Sequence, residues 1–368
     1  MKYQRMPIEA ESPEQFGYDK IRYNLSESSV RDRTLAEAGV RLPDLLLPYG
    51  EHMGLPGLLE LIAGAGGVRP DQVLVTAGAA QALFIIATSL LEPGDQVVVA
   101  RPNYATSIFT PRAIGADIRY LDLSFEEGWR VDVDRLAALV TPRTRYVSIT
   151  VPHNPTGQTL GEEDLRRIVA LVERAGCRLL VDETYREMTF GGPPPCAATL
   201  SDRAISVSSL SKTYGMPGIR TGWLLCRDRE LMETFLAAKE QIGICGSVVD
   251  EGIACQALAG RDRWLPEIHG RIRAALAVTR DWLAGEELLE WVEPRGGVVG
   301  FPRIKPEAPV DVDTFYRQLT TEFGTYVGPG HWFEQPRRHF RLGFGWPTPD
   351  ELRGGLAGIS AALRAALL

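Results

Sequence analysis

Short segments rich in Val and Ile alternate with longer segments of helical periodicity between about residue 50 and residue 270. Several of the short segments are apolar without interruption, which is typical of strands that are covered on both faces. Strands that alternate with helices in this way predict an α/β domain with a mostly parallel sheet flanked by helices. The seven predicted strands are 73–76, 96–100, 118–121, 146–151, 178–181, 205–208 and 221–226.

The two ends of the chain have a different pattern from this central region. The N-terminal end is mixed and turn-rich, and the C-terminal third changes from a long amphipathic helix to strands, turns and a terminal helix. We therefore expect a large α/β domain at 46–270 and a smaller α+β domain formed by 1–45 together with 271–368. The predicted helices are 79–91, 162–175, 229–242, 264–283 and 349–368.

The composition excludes several classes of protein. Of the 368 residues, 45% are hydrophobic and 24% are charged, which differs from the composition of a disordered chain. The net charge of −7 offers no basic surface for nucleic acid. No segment approaches the roughly 20 consecutive apolar residues of a membrane-spanning helix, and the first 15 residues lack the apolar stretch of a signal peptide.

The five cysteines and five histidines are scattered along the sequence. The cysteines form no CxxC pair, and the histidines do not have the spacing of metal ligands, so the sequence predicts no metal site. Scattered thiols in odd number are typical of a reducing compartment, which favours a cytoplasmic location.

Small and polar residues follow the predicted strands. In α/β sheets, ligands bind beyond the carboxyl ends of the strands, so these residues are candidates for a binding site. Only five of the 40 basic residues are lysines, and Lys212 is the one that follows a predicted buried strand. An amine in that position can act as a nucleophile toward a carbonyl group, although a solvated surface lysine is an equal alternative on position alone.

Three motifs occur in the order that they have in a known enzyme family. They are Asn154-Pro155-x-Gly157, Asp182-x-x-Tyr185 and the segment 209–220, which reads S-L-S-K-T-Y-G-M-P-G-I-R. Together they resemble the class I/II aminotransferases, the fold-type I enzymes that depend on pyridoxal 5'-phosphate (PLP). The resemblance covers nearly the whole chain. It implies the fold-type I PLP transferase fold, an amino acid and a 2-oxo acid as substrates, and a homodimer.

The resemblance implies roles for four residues around the ring of the cofactor. Lys212 would form a Schiff base with the cofactor and move the proton at the substrate Cα. Asp182 would pair with the pyridine nitrogen and keep it protonated. Tyr185 and Asn154 would donate hydrogen bonds to the phenolate oxygen of the ring. Lys212, Asp182 and Tyr185 are therefore the predicted catalytic residues.

A second group of residues is predicted to hold the cofactor phosphate. Gly78, Ala79 and Ala80 are small residues that lead directly from a strand into a helix, where free backbone N–H groups can bind an anion. The Ser209 hydroxyl and the Arg220 guanidinium would complete this site.

Further positions match residues that contact the ring, the phosphate or the substrate in the family. Tyr104 matches the aromatic residue that stacks on the pyridine ring. Tyr49 resembles the tyrosine that reaches the phosphate of the neighbouring subunit, which is the basis for expecting a homodimer. Arg341, in the segment F-R-L-G-F, is predicted to bind the substrate α-carboxylate, with Asn154 beside it. A packing role for Tyr104 and a surface ion pair for Arg341 are the alternatives.

One segment departs from the family pattern. Many members have a glycine over the substrate in a Leu-x-x-Gly pattern, and Ser28 occupies that position here, preceded by Glu27. A carboxylate at the entrance would favour a substrate with a cationic side chain, so Glu27 and Ser28 are predicted substrate contacts. A solvated glutamate is at least as good an interpretation of Glu27.

Three other functions remain open on the sequence. A subset of similar PLP enzymes acts on arginine or its derivatives without transamination, including cyclases such as capreomycidine synthase and oxidases or hydroxylases. A non-catalytic regulator of PLP fold is a second alternative. The third is a hydrolase, because Ser209-x-x-Lys212 matches a serine nucleophile motif, although that motif should begin a helix and its downstream partner motifs do not occur.

Overall fold

The computed structural model describes residues 1–42 and 44–368. Its strands are β1 (Tyr23–Asn24), β2 (Val73–Ala77), β3 (Gln96–Arg101), β4 (Asp117–Asp122), β5 (Thr144–Thr150), β6 (Arg178–Asp182), β7 (Ala204–Ser209), β8 (Thr221–Cys226), β9 (Leu289–Glu290), β10 (Val299–Gly300), β11 (Arg303–Ile304), β12 (Thr325–Tyr326), β13 (Gly328–Pro329) and β14 (Phe340–Gly343). Its α-helices are α1 (Pro7–Ala10), α2 (Pro13–Phe16), α3 (Pro56–Gly66), α4 (Gly78–Leu90), α5 (Thr106–Ile114), α6 (Val133–Leu139), α7 (Glu162–Ala175), α8 (Arg229–Gly243), α9 (Val248–Ala259), α10 (Arg261–Ala284), α11 (Val312–Thr321) and α12 (Pro349–Ala365).

A seven-stranded sheet with the order β2-β8-β7-β6-β5-β3-β4 forms the centre of the molecule. Strand β8 is antiparallel to both of its neighbours, and the other six strands share one direction. The predicted mostly parallel α/β sheet is therefore confirmed. Each of the seven predicted strands is present in this sheet, with ends that differ from the prediction by no more than two residues.

The continuous apolar segments arise because helices cover both faces of this sheet. In β3, Val97 and Val99 face a core that includes residues of α4 and α8, whereas Val98 faces a second core that includes residues of α6 and α7. Every residue of such a strand is removed from water, so polar residues do not alternate with apolar ones. This burial supplies most of the hydrophobic stabilisation of the sheet.

The N-terminal segment folds back onto the C-terminal third of the chain. Strand β1 pairs in parallel with β12 in the register Tyr23↔Thr325, and the Gly343 amide of β14 donates to the Leu25 carbonyl at 2.7 Å. A side chain at Gly343 would collide with the Glu27 carbonyl, so only glycine allows this close approach. These contacts bring the segment that contains Glu27 next to the strand that carries Arg341.

Two of the predicted helices differ from the prediction by more than one residue at an end. The predicted helix 264–283 lies within α10, which runs through the expected domain boundary at residue 270. The C-terminal helix α12 ends at Ala365, before the predicted end.

The five cysteines are free thiols. Within the described residues, every helix is too short or too polar to span a bilayer.

Candidate active site

Three neighbouring strands of the large sheet end at one cavity. Thr150, Asp182 and Ser209 are the last residues of β5, β6 and β7, and all three line it. The cavity has a volume of about 310 Å³, which is within the range of small-molecule sites. Its position beyond the carboxyl ends of parallel strands is where ligands bind in α/β sheets. The predicted site residues that line it are Glu27, Ser28, Ala79, Ala80, Tyr104, Asn154, Asp182, Tyr185, Ser209, Lys212, Arg220 and Arg341.

Asp182 is a buried carboxylate with one oxygen occupied by hydrogen bonds. Its Oδ1 accepts from the Thr184 amide at 3.0 Å and from the Thr184 hydroxyl at 2.6 Å. Within the described residues, no donor reaches Oδ2. Burial raises the pKa of the Asp182 carboxyl, and the Thr184 hydrogen bonds and the Lys212 charge oppose that rise. The carboxylate is therefore suited to pair with a cationic N–H group in the cavity.

Lys212 lies three residues after the end of β7, in an irregular loop that lines the cavity. Ser209 is the last residue of β7 rather than the first residue of a helix, so the structure does not provide the context that the hydrolase motif requires. Lys212 is partly buried, whereas Lys239 is fully buried and its Nζ donates to the His52 carbonyl at 2.5 Å. Of these two lysines, Lys212 is the one that lines the cavity with Asp182.

The start of helix α4 brings groups that can bind an anion to the cavity. Gly78 has a φ of +74°, and a Cβ built on it would lie 2.5 Å from Nη2 of Arg220. Gly78 does not line the cavity, but its lack of a side chain lets the Arg220 guanidinium approach the helix N-terminus. Ala79 and Ala80 follow at that N-terminus and line the cavity. A guanidinium, the end of a helix and the Ser209 hydroxyl together provide the donors that a phosphate group requires.

Arg341 is a buried cation whose guanidinium is incompletely bonded. The residue is 4% exposed, its Nη1 donates to the Asn154 side chain at 3.1 Å, and its Nη2 donates to the Ser26 carbonyl at 2.6 Å. Its Nε has no partner among the described residues, and burial lowers the pKa of the guanidinium. Because a buried and unpaired cation is costly, this geometry favours an anionic ligand.

The loop after β3 holds Tyr104 against the cavity. The Asn103 side-chain oxygen accepts from the Tyr104 amide at 2.7 Å and from the Thr150 hydroxyl at 2.8 Å, which fixes the loop to the end of β5. The Tyr104 hydroxyl donates to Glu9 at 3.3 Å, and burial raises the pKa of this phenol. Tyr104 therefore remains neutral and presents its ring to the cavity.

The segment after β1 contributes Glu27 and Ser28. Ser28 is buried, and both residues line the cavity. Glu27 accepts from the Asn24 side chain at 3.4 Å. Burial raises the pKa of Glu27, the Lys212 and Arg341 charges oppose this rise, and the Glu14 charge adds to it. Glu27 is thus placed in the cavity with the two cations rather than solvated at a distance.

Tyr49 lies outside the cavity of its own chain. Its side chain is 82% exposed, and it does not line the cavity. This position is compatible with the expectation that it acts on a neighbouring subunit, which stays a prediction.

Several cavity residues were not identified from the sequence. Trp332 lines the cavity and belongs to none of the motifs that identified the site. Thr184 could have been found, because its hydroxyl lies two residues from Asp182 in the motif D-E-T-Y. Glu9 and Glu14 lie in a turn-rich segment far from the motifs, so no local signal identified them.

Comparisons with known proteins agree on one family. The family model described as aminotransferase class I and II matches residues 29–359. The chain is 31% identical to the capreomycidine synthase of Streptomyces vinaceus over 358 residues, which cover 94% of this chain and 91% of the relative. It is 33% identical to the arginine–pyruvate transaminase AruH of Pseudomonas aeruginosa over 313 residues, 80% of this chain and 77% of the relative.

Solved structures of 30% identity have the same fold over their full length. A PLP-dependent aminotransferase from Streptococcus suis superposes with a TM-score of 0.92, covering 100% of this chain and 99% of the other. The PLP-dependent cyclase OrfR superposes with a TM-score of 0.88, covering 99% and 98%.

Proposed function

The chain belongs to the class I and II aminotransferase family, and on that premise we propose that it transfers the α-amino group of an L-amino acid to a 2-oxo acid. The family and the fold predicted from the motifs are confirmed, and the cofactor is pyridoxal 5'-phosphate. When bound, PLP supplies an electron sink for the charge that develops at the substrate Cα.

The cavity residues fit this cofactor at its phosphate end. Ala79 and Ala80 would donate backbone N–H groups to the phosphate, and Ser209 and Arg220 would add a hydroxyl and a positive charge. The clearest sign of fit is the missing side chain at Gly78, which leaves room for the Arg220 guanidinium at the helix N-terminus.

The residues around the ring fit as well. The free Oδ2 of Asp182 would accept from the protonated pyridine nitrogen. Tyr185 and Asn154 would donate to the ring oxygen, and Tyr104 would cover one face of the ring. The Lys212 amine would hold the cofactor covalently between turnovers.

The unpaired Nε of the buried Arg341 is the observation that carries the proposed function. Arg341 would bind the substrate α-carboxylate and orient the Cα–H bond toward Lys212. Lys212 would then take the proton from Cα and return it to the C4' position of the cofactor. Trp332 and the N-terminal segment line the cavity and would reduce the access of water during these steps.

We further propose that the substrate has a cationic side chain. Glu27 lines the same cavity as Lys212 and Arg341 and forms no ion pair with the described residues. Among the similar proteins, one is an arginine–pyruvate transaminase by name. This supports a basic amino acid as the amino donor.

A non-transaminating reaction on arginine or a derivative is the second candidate. It is favoured by the similarity to capreomycidine synthase and to the cyclase OrfR. Both reactions require the same removal of the proton at Cα, so Lys212, Asp182 and Arg341 would have the same roles in either.

We also propose that two copies of this chain form a homodimer. Leu42, Leu46, Leu47 and Tyr49 are largely exposed apolar residues, and Ile242 and Ile244 at the end of α8 are about half exposed. A surface with this many exposed large apolar side chains is typical of a protein interface. A second copy of this chain would cover it and would bring its Tyr49 to the phosphate end of the cavity.

A substrate panel tests the proposed function. The holoenzyme is incubated with arginine, lysine, citrulline and neutral amino acids, with and without pyruvate and oxygen, and the products are identified by mass. Transamination predicts the 2-oxo acid of arginine together with alanine. A cyclised or hydroxylated product would instead establish the second candidate.

Glu27→Gln tests the preference for a cationic side chain in the same panel. Removal of the charge is expected to lower kcat/KM for arginine by about tenfold and to leave citrulline nearly unchanged, because a charge-assisted hydrogen bond is lost. Glu60→Gln, on the exposed face of α3, is the control. Unchanged relative activity in Glu27→Gln would refute the proposed role of Glu27.

A further inference from the structure

The N-terminal segment forms one wall of the active-site cavity. Helices α1 and α2 are only four residues long, and Ile8, Glu9, Ser12, Pro13 and Glu14 line the cavity. This segment therefore places two carboxylates beside the cavity in addition to Glu27. None of the motifs that define the family includes these residues.

Contacts on the outer side hold the segment in place. Glu11 accepts from the Trp332 indole at 2.7 Å and contacts the His331 ring at 2.8 Å. The Tyr326 hydroxyl donates to the Glu11 carbonyl at 2.6 Å, and the Phe16 and Tyr326 rings stack with centroids 5.0 Å apart. Glu11 itself does not line the cavity, whereas Glu9 and Glu14 do.

After the cations of the cavity have been assigned to the cofactor and to the substrate α-carboxylate, unpaired carboxylates remain in its lining. The cations are Lys212, Arg220 and Arg341, which the proposed function assigns to the cofactor, to its phosphate and to the α-carboxylate. Glu9, Glu14 and Glu27 form no ion pair with any described residue. Three carboxylates therefore remain without a cation.

All three carboxylate residues line the cavity, and one contact joins Glu9 to Tyr104. The Tyr104 hydroxyl donates to Glu9 at 3.3 Å, and Tyr104 is the residue expected to cover the cofactor ring. Glu14 and Glu27 line the same cavity, and the charge of Glu14 contributes to the raised pKa of Glu27. The unpaired Nε of Arg341, which is 4% exposed, independently indicates that an anionic ligand group binds in this cavity.

We propose that Glu9 and Glu14 are specificity-determining residues that, with Glu27, bind the distal guanidinium of a substrate whose α-carboxylate is bound by Arg341. This inference rests on the proposed function. A guanidinium has five N–H donors in a planar arrangement and can bond to more than one carboxylate, whereas an ammonium is a compact and strongly hydrated charge. Arginine or a derivative with an intact guanidinium is therefore the expected substrate class.

The test compares arginine with citrulline, whose side chain has nearly the same shape but no charge. Dissociation constants are measured on the holoenzyme without a 2-oxo acid, from the change in cofactor absorbance on titration. The variants are Glu9→Gln, Glu14→Gln and their combination, with Asp19→Asn as a control in the same segment that does not line the cavity. Thermal unfolding checks that each variant folds.

The wild-type protein and the control are expected to bind arginine at least tenfold more tightly than citrulline. Each single variant is expected to reduce this ratio several-fold, the double variant is expected to reduce it further, and citrulline binding should be unchanged. The two single variants keep the test valid if the double variant fails to fold.

Two results would overturn the inference, and they differ in what else they reject. If the folded variants keep the wild-type ratio, Glu9 and Glu14 do not select the substrate, while the proposed function stands. If no amino acid changes the absorbance of the wild-type holoenzyme, the proposed function and this inference fail together.

Discussion

Asp182 and Arg341 are buried charges that share one feature, an atom without a partner. Among the described residues, Thr184 bonds to Oδ1 of Asp182 and none donates to Oδ2, while Asn154 and Ser26 bond to the Nη atoms of Arg341 and none accepts from its Nε. An unpaired buried charge destabilises the folded chain, so this arrangement indicates groups that are completed by ligands. The hydrogen bonds to Oδ1 of Asp182 and from the Nη atoms of Arg341 then fix the directions of Oδ2 and of Nε.

Thr184→Val tests whether the Thr184 hydroxyl controls the ionisation and position of the Asp182 carboxylate. Loss of the 2.6 Å hydrogen bond should raise the pKa of the Asp182 carboxyl further and weaken its pairing with the pyridine nitrogen. We expect kcat to fall by roughly tenfold and the acidic limb of its pH profile to move to higher pH, because the carboxylate must be ionised.

Thr184→Ser is the matched control, since it keeps the hydroxyl. It should retain near wild-type activity and the wild-type dependence of cofactor absorbance on pH. If Thr184→Val behaves like Thr184→Ser in both measurements, the hydroxyl does not position Asp182.

Among the secondary-structure elements, helix α4 has the most direct role in binding. It begins immediately after β2, and its first residue has a left-handed conformation that an alanine does not adopt easily. Gly222 of β8 packs so closely on Gly78 that its Cβ would lie 2.5 Å from the Gly78 carbonyl carbon. Two glycines therefore set the position of the helix N-terminus.

Gly78→Ala is expected to weaken PLP binding by more than tenfold, because the new methyl group displaces the Arg220 guanidinium. Pyridoxal, which lacks the phosphate, serves as the comparison ligand, and its affinity should change little. Dissociation constants for the two are measured by fluorescence on cofactor-free protein. Equal losses for both ligands would show that the substitution disturbs the site in general.

The strands of the large sheet could be predicted, because burial on both faces gives them an unmistakable apolar sequence. The polar residues at the carboxyl ends of β5, β6 and β7 could also be placed together, since parallel strands end at one edge. The helices α1 and α2 could not be predicted. Each is shorter than the window in which helical periodicity is visible, and its side chains reach the cavity only through tertiary contacts.

At the scale of the whole molecule, the N-terminal segment packs against the C-terminal third of the chain beside the cavity. Strand β1 pairs with β12, and Arg31 forms an ion pair with Glu351 at 2.7 Å. We propose that 1–45 and 271–368 form one unit beside the large unit at 46–270, with α10 shared between them. The substrate side of the cavity then belongs to the small unit, and the cofactor side belongs to the large one.

We predict that two copies of the chain associate into a dimer. Analytical ultracentrifugation of the holoenzyme should show a dimer, and Leu46→Asp should yield monomers with weaker PLP binding, because Leu46 is 85% exposed in the single chain. Leu368→Asp is the matched control, since Leu368 is 88% exposed at the C-terminus. A monomeric wild-type protein with full affinity for PLP would contradict the proposed interface.

The most direct test of Lys212 as the residue that binds the cofactor is borohydride reduction of the PLP-loaded protein followed by peptide mass spectrometry. Reduction should fix the cofactor to the peptide that contains Lys212, and Lys212→Ala should abolish the modification. Reduction that fixes the cofactor to the buried Lys239, or no modification of the wild-type protein, would contradict the assignment of this cavity as the active site.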